Sequence, residues 1–500
     1  MSTILIKNVQ LLDGNGLSPV RADVLIKNDK ISAVEAMINF KADEVIDGKG
    51  DYLAPGFIDI NNHADRYLSF FKGLSDPSQK HFLLDGVTSV IGGQGGISLA
   101  PLIYGSLQTL RPYVDVNKIN VNWHSISEFF KTLEKQQLGI NFGTLIGHAT
   151  VRRAVVGEPI SRNLTPNELR LLNLIFRENL ESGAMGISFD FNNHQTFQAS
   201  YFEIKKLAQT AAQNGKILSV NLKDRKEGLI ESVKKIIFLA KETGVKIIIN
   251  EFLPFAGFED NYVHAIELIK KNFASACVYI NLYPFNESFS LLKDFLPEFA
   301  KTDRWETMLE NIKNKEMRKK ILKGLPRFDG TKMIIINAPS HDYLEGKTLA
   351  EFSQNRNLSV EEGLLKLMEI TEFRGEFANQ DINFQKITEV LTEKCALMAS
   401  DGNILKNQLV SQTQSVFRKF LEIVQKEKIL PIETAIQKIT SLPAKLLGLK
   451  GRGEIKNGCF ADLVIFRGNQ IMEVILNGQR VVKNKEFQNI QNGKILKHVF

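Results

Sequence analysis

The sequence predicts an α/β protein: a (β/α)8 TIM-like barrel with a small β-sandwich domain formed by both termini and an insertion late in the barrel. Three observations carry this. From about residue 53 onward, short apolar runs alternate with long helical patterns, the rhythm of βα units. Eight such units fit into about 350 residues, the size of one barrel. Both ends of the chain are instead β-rich, with turn residues between short strands. The expected divisions are 1–52 for the first half of the sandwich, 53–440 for the barrel with an insertion at about 285–385, and 441–500 for the second half of the sandwich.

The elements follow in order. Ile4-Leu-Ile-Lys-Asn-Val-Gln-Leu-Leu12 leads to a turn at Asp13-Gly-Asn-Gly16. Asp23-Val-Leu-Ile-Lys27, the turn Asn28-Asp-Lys30 and Ile31-Ser-Ala-Val34 continue the pattern, with turn chemistry between strands. The eight expected barrel strands are Gly56–Ile60, Val87–Ile91, Gly143–Gly147, Met185–Phe189, Ile217–Asn221, Lys246–Asn250, Cys277–Leu282 and Leu397–Asp401. Thr165-Pro-Asn-Glu168 and Ser359-Val-Glu-Glu362 read as capping boxes that start helices, the first with proline at the first helical position. The insertion carries its own strand at Met333–Asn337, and the tail, Gly453–Phe466 and Ile471–Val482, reads as strands around Asn-Gly turns.

Bulk properties narrow the function classes. The 500 residues are 43% hydrophobic and 24% charged, and the net charge of +7 is spread over the chain. Lysine-rich pieces such as Lys313–Lys323 read as solvated helix faces, so no nucleic-acid partner is expected. Cys277, Cys395 and Cys459 are far apart with no CxxC spacing, which fits a reducing compartment. Neither a signal peptide nor a membrane span is expected, and a cytoplasmic location follows.

In a barrel, chemistry gathers at the C-terminal ends of the strands. The polar residues at those ends are Asn61, His63, Gln94, His148, Asp190, Asn221, Asn250, Glu251, Tyr283 and Asp401. Any one of them is accounted for by capping a strand end, whereas the whole set on one rim points to a small-molecule pocket. No GxSxG context accompanies a serine, and Gly92-Gly-Gln-Gly-Gly96 lacks the Lys-Ser/Thr of a phosphate loop.

Several segments together resemble the N-acyl-D-amino-acid deacylase (D-aminoacylase) family of the amidohydrolase superfamily, almost end to end. Pro55-Gly-Phe-Ile-Asp-Ile-Asn-Asn-His63 is similar to that superfamily's PGFIDxHxH frame. Val87-Thr-Ser-Val-Ile-Gly-Gly-Gln-Gly-Gly-Ile-Ser-Leu-Ala-Pro101 resembles VTTVVxGNCGxSLAP, and Gly147-His-Ala-Thr-Val-Arg-Arg-Ala-Val-Val-Gly157 resembles GHGTLRRAVMG. Glu181–Ser188, Ala399-Ser-Asp-Gly402, Thr440–Ala444 and Ala461-Asp-Leu-Val464 match as well.

The resemblance implies a metal-dependent hydrolase of linear or cyclic amides. It implies zinc held by the GNCG cysteine and two histidines, with the His-x-His pair and a late aspartate forming a weaker position. Carried over, four of the six ligand positions differ. The cysteine is Gly95, the fifth-strand histidine is Asn221, the sixth-strand histidine is Glu251, and the first histidine of the pair is Asn61; only His63 and Asp401 remain. Losing a thiolate and imidazoles removes the ligands that favour zinc. His63, Glu251 and Asp401 remain as a one-nitrogen, two-carboxylate set of a kind that also suits iron or manganese.

For substrate binding the resemblance implies His148, Lys223 (for the family's arginine) and Tyr283. The family's late HPR arginine has no counterpart in Asn407-Gln-Leu-Val-Ser-Gln412. Asp401 takes the place of the general base, and without a metal it could still move a proton with His63 as partner. Three readings stay open: a member that has lost zinc-dependent deacylation but keeps a small-molecule pocket, an active hydrolase using a rearranged His63, Glu251 and Asp401 site, and a non-catalytic partner of an active paralogue. The cofactor is zinc, a weakly bound divalent metal or none, according to the reading. The partner is a small-molecule ligand or substrate, and a homo-oligomer is left open.

Overall fold

The computed structural model describes residues 2–498 except 72–76, 104–106, 108–109, 111–120, 122, 158–161, 303, 403, 406–407 and 410–412. In chain order the strands are β1 (Thr3–Leu11), β2 (Val20–Lys27), β3 (Lys30–Glu35), β4 (Glu44–Asp47), β5 (Tyr52–Pro55), β6 (Phe57–Asp59), β7 (Val87–Gly92), β8 (Asn141–Thr144), β9 (Ile146–Gly147), β10 (Gly186–Asp190), β11 (Ile217–Asn221), β12 (Lys246–Ile249), β13 (Val278–Leu282), β14 (Ser288–Leu291), β15 (Met333–Asn337), β16 (Glu376–Asn379), β17 (Ala396–Met398), β18 (Ile404–Leu405), β19 (Gln408–Leu409), β20 (Leu463–Arg467), β21 (Gln470–Leu476), β22 (Gln479–Lys483) and β23 (Glu486–Phe487).

The barrel is parallel throughout. β6 pairs with β7 and β7 with β8, while β9, β10, β11, β12, β13 and β17 follow one another in the second run. Leu145 N donates to the Gly92 carbonyl at 3.0 Å between β8 and β9, so these two are one barrel strand interrupted at Leu145. The ring closes where Asn62 bridges to Asp401 in parallel register and Asp401 N donates to the Asn61 carbonyl at 3.1 Å. Each of the eight expected strands falls on one of these. The last ends at Met398, short of the expected Asp401, because Asp401 turns to φ 63°.

Part of the interior is an apolar layer. Ile58, Ile60, Ile91, Leu145, Met185, Ile217, Ile248, Leu397 and Ala399 pack in one buried cluster. The helices begin where the sequence says they should. Thr165 caps Pro166–Glu181 with both halves of its capping box, and Ser359 caps Val360–Ile370 through the Glu362 amide.

The terminal strands do not split into two separately bonded layers. They make one nine-stranded sheet in the order β23-β22-β21-β20-β5-β1-β2-β3, with β4 on β1. One face of it supplies Ile4, Ile6, Ala22, Val24, Ile26, Leu53, Leu463, Ile465 and Ile475 to a single core, and the alternation is the period-2 pleat. β5 pairs with both β1 and β20, which joins the two ends of the chain.

A second compact unit comprises Pro254–Glu259 and Phe285–Phe384. Its antiparallel sheet runs β14-β16-β15, and it has its own core, including Leu292, Ile335, Phe352, Leu364 and Phe377. The short 254–259 piece joins it through bonds such as Ala256 N to the Asp381 carbonyl, 2.8 Å. No helix among the described residues is long and apolar enough to cross a membrane.

Candidate functional site

Three side chains meet at the C-terminal mouth of the barrel: His63 after β6, Glu251 after β12 and Asp401 after β17. Each offers one ligand-type atom, and these atoms lie within 4.8 Å of one another. His63 Nε2 is 3.0 Å from Asp401 Oδ1 and 3.8 Å from Glu251 Oε1. Glu251 Oε2 accepts from Arg225 Nη1 at 2.9 Å, and Oε1 accepts from Asn221 Nδ2 at 2.9 Å. Both acidic residues stand in left-handed backbone, Glu251 at φ 48° and Asp401 at φ 63°. Such conformations cost about 1–3 kcal/mol for non-glycine residues and gather at functional sites.

The electrostatics are those of a closed ion cluster. Burial raises the Asp401 carboxyl, and the nearby Glu251 charge adds to the effect. Burial works the same way on Glu251, but His63 and Arg225 outweigh it and hold that carboxyl well below its usual range. Burial and the Arg66 charge pull His63 downward, yet its bonds to Asp401 and Glu251 prevail and its net shift is upward.

Beneath this cluster runs a chain of amides. Glu251 N donates to Asn281 Oδ1 at 3.0 Å, and Asn281 Nδ2 to Asn250 Oδ1 at 2.7 Å. Asn250 Nδ2 donates to Ser219 Oγ at 2.8 Å and to Asn221 Oδ1 at 3.0 Å. Ser219 Oγ donates to Gln94 Oε1 at 2.7 Å, and Gln94 Nε2 to the Ile60 carbonyl at 2.7 Å. With the Ser219 hydroxyl proton directed at Gln94 rather than at Asn250 Oδ1, 3.1 Å away, these bonds run in one direction and each polarises the next. Gln94, Ser219, Asn250 and Asn281 are buried.

Gly95 adopts φ 59°, and a Cβ built there would overlap the Arg66 guanidinium, 3.7 Å from its Cζ and 3.5 Å from His63 Cε1. Arg66 Nη2 donates to the Gln94 carbonyl at 3.0 Å. Asn61 is buried, and neither atom of its side-chain amide has a hydrogen-bond partner among the described residues. An unpaired buried amide costs about 1–3 kcal/mol, so Asn61 is a position that a bound group would complete.

The residues expected to bind substrate fare differently. His148 is fully buried; its Nδ1 lies 3.0 Å from Thr196 Oγ1 and its Nε2 2.9 Å from Glu203 Oε1, which Arg152 also contacts. With Phe189 stacked on its ring at 4.7 Å, His148 serves the packing of its own helix, and both ring nitrogens are spent there. The Lys223 ammonium sits 4.1 Å from the centre of the Phe197 ring. Tyr283 is buried close enough to Arg225 for the two to interact. Most of the 407–412 segment, where the family's arginine has no counterpart, lies outside the described residues. The cavity lined by Val424–Ile432 shares no residue with this site.

Sequence reasoning did not single out Arg66, Arg225, Ser219 or Asn281. Ser219 had a signal: it precedes Asn221 by two on β11, which puts both side chains on one face. Arg66 and Arg225 follow their strands in irregular turns, where no periodicity marks them.

Known proteins resemble this architecture. Residues 400–480 match the amidohydrolase family. The D-aminoacylase of Alcaligenes xylosoxydans xylosoxydans is 24% identical over 99% of this chain and 97% of its own length. The N-acyl-D-glutamate deacylase of the same organism is 24% identical over 94% of this chain and 88% of its own. Among solved structures, N-acyl-D-glutamate deacylase from Bordetella bronchiseptica, complexed with zinc and a phosphonate inhibitor, aligns with TM-score 0.81 and 20% identity over 99% of both chains. Along nearly its whole length the chain is similar to D-aminoacylase and N-acyl-D-glutamate deacylase, and it shares their fold.

The residues of this chain do not fit the zinc site that the resemblance implies. Gly95 has no ligand atom, and the guanidinium of Arg66 fills the adjoining space. Asn221 spends its amide nitrogen on Glu251 and its oxygen on Asn250, while Glu251 has both oxygens bonded. The Arg66 charge is felt at both His63 and Asp401, and a fixed positive charge there opposes a dication.

Proposed function

We propose that this protein binds a small molecule at its barrel mouth and does not perform zinc-dependent deacylation of N-acyl-D-amino acids. One observation carries the reading: at the three positions where the family's zinc ligands stand, Gly95 has no donor and the polar side-chain atoms of Asn221 and Glu251 are already bonded within the protein. The unpaired amide of Asn61 supports a retained ligand site. Metal analysis of the purified protein, with an assay for D-amino acid release from N-acyl-D-amino acids, tests it. Zinc well below one ion per chain and no release above background are expected. One zinc per chain together with D-amino acid release would sink the reading.

A second reading is favoured by the proximity of the His63, Glu251 and Asp401 donors: an active amide hydrolase that uses these three residues for a different metal. It predicts activity gained on adding manganese, iron or zinc and abolished by Asp401→Asn. Inactivity on an N-acyl and cyclic-amide panel with every metal would end it.

A further inference from the structure

We infer that Arg66 is a built-in cation that stands in for the charge of the missing metal and keeps divalent ions out of the His63, Glu251 and Asp401 cluster. The inference rests on the zinc-free reading above and adds the residue responsible for it. A side chain at position 95 and the Arg66 guanidinium compete for one volume beside the His63 ring, because a Cβ at Gly95 overlaps the guanidinium and lies 3.5 Å from His63 Cε1. The glycine at 95 therefore leaves the room that the Arg66 guanidinium takes up.

The guanidinium is firmly placed. Arg66 ends the short Ala64–Arg66 turn directly after His63, with its own N–H bonded to the His63 carbonyl at 3.1 Å. Its Nη2 is anchored on the Gln94 carbonyl at 3.0 Å, and the Gln94 side chain is fixed at Ile60 and Ser219. An arginine stays charged at any ordinary pH, so unlike a lysine or histidine it cannot yield its place by losing a proton. Arg225 pairs with Glu251 and the Arg66 charge acts on Asp401, so a dication would enter a cluster whose two carboxylates already face guanidinium groups.

The test is metal binding rather than turnover. The full chain and its Arg66→Ala, Arg66→Lys and Arg66→Gln variants are titrated with Zn2+ and Mn2+ by calorimetry, and metal content is measured after dialysis. The wild type and Arg66→Lys are expected to hold no stoichiometric ion. Arg66→Ala and Arg66→Gln gain about tenfold or more in affinity and bind one ion per chain, and adding His63→Ala removes it. Arg66→Ala with Gly95→Cys favours zinc further. Arg66→Gln retains the reach to Gln94 and stands in for Arg66→Ala if the latter fails to fold. Folded, charge-neutral variants that bind no more metal than wild type overturn the role of Arg66 and leave the zinc-free reading in place. A wild type that binds one zinc per chain overturns that reading itself.

Discussion

Asp59→Ala is expected to lower stability by about 3–5 kcal/mol, because it removes the buried acceptor that pins the barrel's first strand to its last. Asp59 accepts from Ser400 N at 2.9 Å, from Ser400 Oγ, and from Asn62 Nδ2 at 2.7 Å, and it is fully buried. Without it these donors lose their main acceptor in the interior, and Asn62 keeps only its 3.4 Å contact with Ser400 Oγ. The substitution also loosens Asn62, whose amide packs against Gly402, and so disturbs the turn that presents Asp401. Chemical unfolding measures the loss; a change under 1 kcal/mol would show that the seam closes without this carboxylate.

The same carboxylate gives a pH signature. Burial pushes Asp59 from 3.8 up to about 6, with its bonds to Ser400 and Asn62 opposing the shift. A folded-state pKa above the unfolded one means that the folded chain holds the proton more tightly. Its contribution is present below pH ~4 and is lost as pH rises through about 6, by ~3 kcal/mol in all. Asp59→Asn has no such term. The stability gap between wild type and Asp59→Asn should therefore shrink between pH 4 and 7, and a gap that stays constant over that range contradicts the assignment.

The second large effect is expected at Asp462→Ala, again about 3–5 kcal/mol, the usual consequence of stranding one partner of a buried ion pair. Asp462 pairs with Arg452, with only 5% and 6% of the two side chains exposed. It also accepts from Asn141 Nδ2 of β8 at 3.0 Å and from Asn477 N at 2.7 Å, so one carboxylate joins a barrel strand to the terminal sheet. Arg467→Ala is the control. Arg467 pairs with Asp51 but is 59% exposed, and its loss should change stability by no more than about 1 kcal/mol. Equal losses in the two variants would mean that burial does not govern these pairs.

The architecture was legible because it is written in short-range patterns. Apolar runs five or six residues long marked all eight barrel strands, and capping residues such as Thr165 marked helix starts. The continuous terminal sheet was less legible. Each strand could be read, but the pairing of β5 with β20 depends on residues some 400 positions apart. Within the site, His63, Glu251 and Asp401 could be named because they fall in motif frames. His148 fell in one too, yet Glu203, a residue 55 positions further on, claims its ring, and no local pattern announces such a partner. Arg66 lies in a turn, where sequence carries position but not direction.

The amide chain under the site has a consequence for how ligand binding should respond to its surroundings. Gln94, Ser219, Asn250 and Asn281 contain no group that gains or loses a proton between pH 4 and 9. The floor of the site therefore keeps the same pattern of donors and acceptors throughout that range, and acid and base can act only on the rim. A ligand's affinity should consequently divide into a constant part set by shape and amide bonding and a variable part set by His63, Glu251 and Asp401.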